Sequence, residues 1–585
     1  MIILGINASH NATACLLIDG KIVYCVSEER ISRIKNQYGL PTRAVRDILK
    51  LNQIKSSQVD MVVFGYNDPK VNTEFSLLGG KNLPPGFLQF LWKIKEEMLV
   101  RIPQTRHLYD KSLNLFYGYF IDPKKEEELL ANVKKNFGVP KNKVVRIDHH
   151  LAHAYSALYA NPDKNKKDWL ILTFDAMGDE LCSTVSIYKK GEFERLAATT
   201  SGNSLGDLYG MITEHFGMKG GEHEYKVMGL APYANEKHAE SVYQKLKQLV
   251  WINPDMTFST TIHSHMFYKI LPKILYKERF DNIAAGLQKL TEEILIDWVK
   301  LCVKKTGIKN VACAGGLFMN VKANQKILEL PEVAGLFVMP SCGDESTAIG
   351  AAYWGYEQEK LEDTSLPEIE SLGPLYLGKE FSDKEIRREL GKKQNRKYKI
   401  NKFVNIEKTI AKLLSSGEVV ARFNGRMEWG ARALGNRSIL ANPANLDVVR
   451  MINDQIKSRD FWMPFAPSIM KEKAGKYMVA RKKIEAPYMI ITFDATPLGR
   501  KDFKAAMHQY DFTLRPQMVD KDWNPGYWKV LKEFEKLTGI GGVLNTSFNL
   551  HGYPIVYTPK DALYVFENSG LKYLAIGNYL VSKLK

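Results

Sequence analysis

Cysteine is scarce in this chain: six residues among 585, widely spaced, with no Cys-x-x-Cys pair. That excludes a disulfide framework and a cysteine-built zinc ribbon, and it suits a reducing cytoplasm. Long apolar runs are missing too. The N-terminal run is broken early by Asn7, Ser9, His10 and Asn11, with no basic leader before it, so neither a signal peptide nor a membrane span is expected. Low-complexity tracts and internal repeats are also lacking. The net charge is +17, which points to anionic partners, but the basic residues are scattered and often alternate with Glu. No dense basic block interleaves with aromatics, so nucleic acid is not expected as a partner.

What remains is an ordinary globular composition, long enough for two to four domains. The most informative stretch is Asp148–Ser156. The residues before it, Lys143–Ile147, read as a short buried strand, and Asp148 stands where a helix N-cap belongs. On the helix that follows, His149 and His153 are four apart and share a face. Two imidazoles so placed either hold one divalent metal ion or are half-buried structural histidines. The zinc-peptidase motif has this spacing but needs Glu in its second position, and His150 is there instead.

The N-terminus reads as a β-meander: Met1–Asn7, then Thr13–Ile18, a tight turn at Asp19-Gly20, and Lys21–Ser27. His10 lies in the first turn, either solvent-exposed or poised as a general base. Glu28–Lys35 is a mixed-charge segment, either a salt-bridged surface turn or a substrate clamp. Asp60–Gly65 reads as a strand. Residues 68–140 read as an insertion, with Pro84, Pro85 and a Phe87–Trp92 helix, of the kind that builds acceptor pockets or homodimer contacts. Trp169–Phe174 is an apolar strand ending in Asp175, placed to face a cleft and to complete a metal site. Glu222 and Lys226 are either ligand contacts or part of a capped helix start. A helix over Asn282–Thr306 and a strand over Asn310–Ala314 lead into Gly315-Gly316 and Asn320. Asp344 follows the strand Leu336–Met339 and offers another carboxylate. The charged residues Gln358–Asp363 read as loop, and a domain boundary falls near 360–375. The remainder carries Arg426, Arg432, Lys457, Arg459, Arg515 and Ser547 around glycine-rich turns: either an anion pocket or a set of surface ion pairs.

Taken together, GINASHNATA (5–14), SEERISRIK (27–35), HHLAHAYSA (149–157), SLGDLYG (204–210), GEHEYKVMGLAPYA (221–234), AGGLFMN (314–320), GDESTAIGAA (343–352), GRMEWGARALGNRSI (425–439), PFAPSI (464–469) and LNTSFN (544–549) resemble the O-carbamoyltransferases of the nodulation-factor and antibiotic-tailoring type. The resemblance implies an α/β protein of two domains. Residues 1–365 would form an actin-like domain similar to the metal- and nucleotide-binding component of tRNA threonylcarbamoyl transfer. Residues 366–585 would form an α+β, YrdC-like domain that makes the acyl-adenylate. It further implies that carbamoyl phosphate and ATP, with Mg2+, give carbamoyl-adenylate and pyrophosphate. The adenylate would pass internally to the front half, where a hydroxyl of a small-molecule or glycan acceptor attacks and AMP leaves. By the same resemblance His149, His153, Asp175 and Asp344 would bind Fe2+ or another divalent metal, with His10 as the base. Gly315, Gly316 and Asn320 would line the nucleotide, and Arg432, Lys457, Arg515 and Ser547 would hold carbamoyl phosphate and adenylate.

Three residues depart from the family pattern. Asn11 stands where the family has Asp. Ala431 replaces a proline. Met463 replaces an arginine that grips phosphate, handing its role to Arg459 or Arg426. Two other readings compete with the transferase: a tRNA-modifying acyl-adenylate enzyme, which the positive charge favours, and a non-catalytic nucleotide-binding scaffold.

Overall fold

The computed structural model describes residues 1–67, 122–391, 398–457, 459–482 and 484–584. The expected helix with Pro84, Pro85 and Phe87–Trp92 lies outside the described residues. Contacts divide the chain into two compact units. The first holds Met1–Val23 and Gln37–Leu372. The second holds Tyr24–Asn36 and Gly373–Lys585.

The first unit is built on two five-stranded sheets. One contains β1 (Ile2–Asn7), β2 (Thr13–Ile18), β3 (Lys21–Ser27, assigned to this unit as far as Val23), β4 (Met61–Phe64) and β5 (Val144–Arg146), in the order β3-β2-β1-β4-β5. β1 pairs antiparallel with β2 and parallel with β4. The other contains β6 (Trp169–Gly178), β7 (Leu181–Lys189), β8 (Glu192–Thr200), β9 (Asn310–Ala314) and β10 (Gly335–Val338), in the order β8-β7-β6-β9-β10. β6 pairs antiparallel with β7 and parallel with β9. Order and strand direction are therefore the same in both sheets. The sequence shows no repeat, yet the architecture repeats in the manner of an actin-like fold. The pattern that is kept is burial rather than residue identity: β1, β2, β4, β9 and the first six residues of β6 are almost wholly buried, as strands covered by helices are.

Two helices bring the ends of these strands together. α1 (His149–Ala160) begins after β5, and α2 (Thr347–Glu362) follows β10. They touch backbone to backbone. A Cβ on Gly350 would lie 1.7 Å from the carbonyl oxygen of Ala152, and one on Gly5 would lie 1.9 Å from that of Ala348. This close approach is why α2 is rich in small residues, and it draws the start of α2 up to α1. The helix also runs through Gln358–Glu362, where the charged composition reads as loop. Tyr353 and Tyr356 are buried on its inner face and leave the charges to solvent.

The second unit is α+β. Its eight-stranded sheet runs Tyr398–Lys402, Tyr579–Lys583, Tyr573–Ile576, Val420–Phe423, Arg437–Ala441, Gly542–Ser547, Ala466–Met470 and Gln517–Val519. Its helices include Ile406–Ser415 and Pro525–Thr538. The charged segment Glu28–Lys35 is an integral part of this unit. The buried Arg30 donates to the carbonyl of Gly430 at 2.7 Å, and Arg33 donates to those of Pro554 and Ile555 at 2.8 and 2.7 Å. Those guanidinium groups serve backbone carbonyls rather than a solvated turn. Among the described residues, no helix is long and apolar enough to cross a membrane.

Candidate functional site

Asp148 caps α1, its carboxylate accepting from Leu151 N at 2.7 Å. The first helical N–H, that of His149, donates to Asp179 Oδ2 at 2.7 Å. With the helix start fixed from both sides, His149 and His153 turn toward the end of β6. That strand breaks register between Phe174 and Gly178, and a bulge re-aims a side chain in just this way. Asp175 is the side chain re-aimed. The Gly316 N–H donates to its Oδ2 at 3.1 Å. Gly178 leaves room for the first imidazole, since a Cβ there would lie 2.0 Å from His149 Cδ2.

The result is one compact cluster. Ligand atoms of His149, His153, Asp175 and Asp344 all lie within 4.8 Å of one another. His149 Nε2 and His153 Nε2 face each other at 3.0 Å. Asp175 Oδ2 is 3.2 Å from His153 Nε2 and 3.9 Å from His149 Nε2, and Asp344 Oδ1 is 3.9 Å from His149 Nε2. The other ring nitrogen of His153 meets Ser346 Oγ at 3.1 Å, which orients the ring as outer partners of metal-bound imidazoles do. His150 turns away to Thr173 Oγ1 at 2.8 Å.

Charge in the cluster is arranged for a cation. Burial alone would lower the His149 pKa, but attraction to Asp175, Asp344 and Asp179 overrides it and raises the value to about 9. Burial, and then repulsion by His149, keep His153 below its ordinary range. Burial opposes ionisation of Asp175, yet the two imidazoles hold its carboxyl well below the usual carboxylate range. Two neutral-capable nitrogens and two carboxylate oxygens form a donor set suited to zinc, manganese or iron, so the residues fit a divalent ion.

His10 lies on the loop after β1, and this loop is tied to the cluster: Ser9 Oγ donates to Asp344 Oδ2 at 2.6 Å. Burial pushes two further carboxyls up: Glu345, which accepts from Ser341, and Glu224, which accepts from the Gly221 N–H at 2.5 Å. Neither stands out in the sequence; Glu222, a candidate ligand contact there, pairs with Lys219 at 2.9 Å. Gly315 has φ +101°, and a Cβ there would lie 2.3 Å from the Phe174 carbonyl oxygen, so the glycine pair packs directly on β6. Asn320 caps the helix Val321–Glu329 and exchanges amide hydrogen bonds with Gln288 at 2.9 and 3.0 Å.

In the second unit a cavity of about 80 Å³ is lined by Arg432, Arg459, Arg515, Thr546 and Ser547 among others. No carboxylate is among its described lining residues. Burial, then repulsion by Arg432 and Arg459, drives the Arg515 pKa well below the ordinary guanidinium range. Three guanidinium groups gathered at one cavity repel one another and suit an anion that joins them. Lys457 does not line the cavity. Its buried ammonium donates to Asn549 Oδ1 at 2.6 Å and O at 3.0 Å and to Ser547 Oγ at 3.2 Å, so it holds the Ser547 turn in place. Of the two arginines that could take the role expected at 463, Arg459 lines this cavity, whereas Arg426 donates to the carbonyls of Leu377 and Gly378.

An actin-like unit with a buried two-histidine, two-aspartate cluster, joined in sequence to an α+β unit with an arginine-lined cavity, defines the class. The chain matches Carbamoyltransferase N-terminus over residues 2–353 and Carbamoyltransferase C-terminus over residues 411–583. It is 30% identical to a protein of Synechocystis sp., over 99% of this chain and 96% of that one. A protein of Methanocaldococcus jannaschii is 30% identical over the full length of both. The nodulation protein NolNO of Sinorhizobium fredii is 29% identical over 98% of this chain and 79% of its own. The chain belongs to the carbamoyltransferase family and is a carbamoyltransferase.

Proposed function

We propose that this protein is an ATP-dependent O-carbamoyltransferase acting on a hydroxyl of a sugar, glycan or natural product. What supports the reading is the pairing of two different built sites in one chain: a cation site in the front unit and an anion cavity in the back unit. Carbamoyl phosphate and ATP repel each other, and the guanidiniums of Arg432, Arg459 and Arg515 offset that repulsion. The adenylate keeps one oxygen between the carbonyl carbon and the α-phosphorus. Atoms therefore balance when water first removes the phosphoryl group of carbamoyl phosphate, leaving carbamate and phosphate. The carbamate oxygen then attacks the α-phosphorus of Mg2+-bound ATP, and pyrophosphate leaves.

In the front unit, His149, His153, Asp175 and Asp344 would hold the divalent ion, iron by resemblance. When bound it supplies Lewis acidity at the adenylate phosphate or the carbamoyl carbonyl. His10 takes the acceptor's hydroxyl proton as oxygen attacks the carbamoyl carbon, and AMP departs with the electrons of the broken C–O bond. Gly315 and Gly316 bring backbone close to the nucleotide. All six cysteines are buried free thiols, in keeping with a reducing cytoplasm.

The test is exchange of labelled pyrophosphate into ATP by the purified protein. Exchange that requires carbamoyl phosphate, is lost in Arg432→Ala and survives in His153→Ala is expected. Exchange driven by threonine and bicarbonate instead would replace this reading with the tRNA-modifying one, and no exchange at all would sink both.

A further inference from the structure

Asn545 lines the arginine cavity of the second unit, and the steps above leave it without a task. It lies on the strand Gly542–Ser547, on the same face as Ser547, and stands opposite Ala466 on the neighbouring strand. Ser547 and Ala466 line the cavity as well, so this face of the sheet forms one of its sides. Asn545 is 2% exposed.

The two ends of its amide have different surroundings. Nδ2 donates to the Ala433 carbonyl at 3.0 Å and to Ser468 Oγ at 2.9 Å, with Gln517 Oε1 at 3.3 Å. Ser468 Oγ gives its own hydrogen to Gln517 Oε1 at 2.7 Å, so toward Asn545 it accepts. Every neighbour on that side is an acceptor. The amide therefore cannot be turned round, and its oxygen belongs on the other side. Oδ1 is buried and has no partner among the described residues. A buried acceptor without a donor is costly, and a ligand N–H would remove that cost.

The other polar side chains around the cavity are donors or already engaged. Guanidinium groups only donate. Thr546 Oγ1 accepts from Arg459 at 3.3 Å. Ser547 Oγ accepts from Lys457 at 3.2 Å and donates to Asn549 Oδ1 at 2.6 Å. Donors suit the phosphate and carbonyl oxygens of an acyl phosphate. They give nothing to an amide N–H, which needs an acceptor.

We infer that Asn545 is the residue that selects a carbamoyl group at this cavity: its Oδ1 accepts an N–H of the carbamoyl amide, while its Nδ2 holds the turn next to Arg432. This rests on carbamoyl phosphate being the donor, as proposed above.

Acetyl phosphate is the probe that separates the two ends of the amide. It keeps the phosphate and the carbonyl and has a methyl where carbamoyl phosphate has NH2. Each compound is titrated into the full-length protein, followed by its tryptophan fluorescence. The wild type should bind carbamoyl phosphate about tenfold or more tighter than acetyl phosphate. Asn545→Ala should bring the two within about threefold of each other. A residue that only held the turn would weaken both compounds alike and keep the preference. That result overturns the inference, as does a wild type with no preference. A crystal structure of the wild type with carbamoyl phosphate needs no variant to fold. The ligand nitrogen within about 3.2 Å of Asn545 Oδ1 supports the inference, and a nitrogen directed elsewhere overturns it. Pyrophosphate exchange decides the proposed function separately. A preference that depends on Asn545 without exchange removes the adenylate step and keeps this inference. Exchange without preference does the reverse, and a wild type that binds neither compound overturns both.

Discussion

Raising the pH should tighten metal binding, by an amount set at His149. In the metal-free protein its imidazolium is stabilised against burial by Asp175, Asp344 and Asp179, to a pKa of about 9. His149 Nε2 faces His153 Nε2 at 3.0 Å, so a proton and a metal ion compete for the same space. Asp175 is already ionised at neutral pH, and His153 sits below its ordinary value. At pH 7, then, about one proton stands between the site and an ion. Apparent affinity should rise about tenfold per pH unit between roughly 7 and 9, then level off. Zn2+ titrations against a competing chelator at several pH values read the slope. An indicator dye in weak buffer counts the protons, about one per ion at pH 7. The same proton acts on folding with a definite sign. A raised histidine value stabilises the metal-free protein fully below about 6.5, and that stability is lost as pH rises through about 9. The chelator-treated protein should therefore melt lower at pH 9.5 than at 6.5, and the metal-loaded protein should not show that loss. Affinity independent of pH, or binding without proton release, would refute the reasoning.

Three further substitutions probe other parts of the account. Gly178→Ala places a methyl 2.0 Å from His149 Cδ2, so the protein should lose most of its metal while its circular dichroism stays unchanged; full metal content would show that the ring has other room. Arg515→Met removes one of three crowded guanidiniums, so thermal stability should hold or rise while the stabilisation by inorganic phosphate disappears. Phosphate stabilisation that survives would remove the anion cavity from the mechanism. Arg30→Ala leaves the Gly430 carbonyl without its donor and should cost about 2 kcal/mol in denaturant unfolding, whereas no change would mean that the Tyr24–Asn36 segment does not hold its unit together.

The parts of the site legible in the sequence are those set by local geometry. His149 and His153 are a helical turn apart and follow a strong N-cap, so their common face needs no tertiary information. Asp175 and Asp344 follow apolar strands, and strand ends gather ligands in sheets of this kind. Other features depend on what is packed opposite. The bulge that aims Asp175 leaves no mark in WLILTFDAMG. Glu345 reads as one more charge beside Asp344, and only the fold shows Asn11 across from it. Glu224 is two residues from Glu222, and spacing could not tell which one pairs with Lys219 and which one accepts from the Gly221 N–H. Arg30 and Arg33 sit in a run that reads as solvated charge, because carbonyl partners some 400 and 520 residues away are invisible to a local pattern. Lys457 is grouped with the anion-binding residues by its charge and by family resemblance, whereas its hydrogen bonds run to the Ser547 turn.

The central claim is that four side chains from separate strand and helix ends share one ion. Anomalous diffraction at the metal's absorption edge, on crystals of the metal-loaded protein, tests it most directly. The account predicts a single strong peak bonded to His149, His153, Asp175 and Asp344. A peak elsewhere, or one touched by the histidines but by neither aspartate, would contradict it.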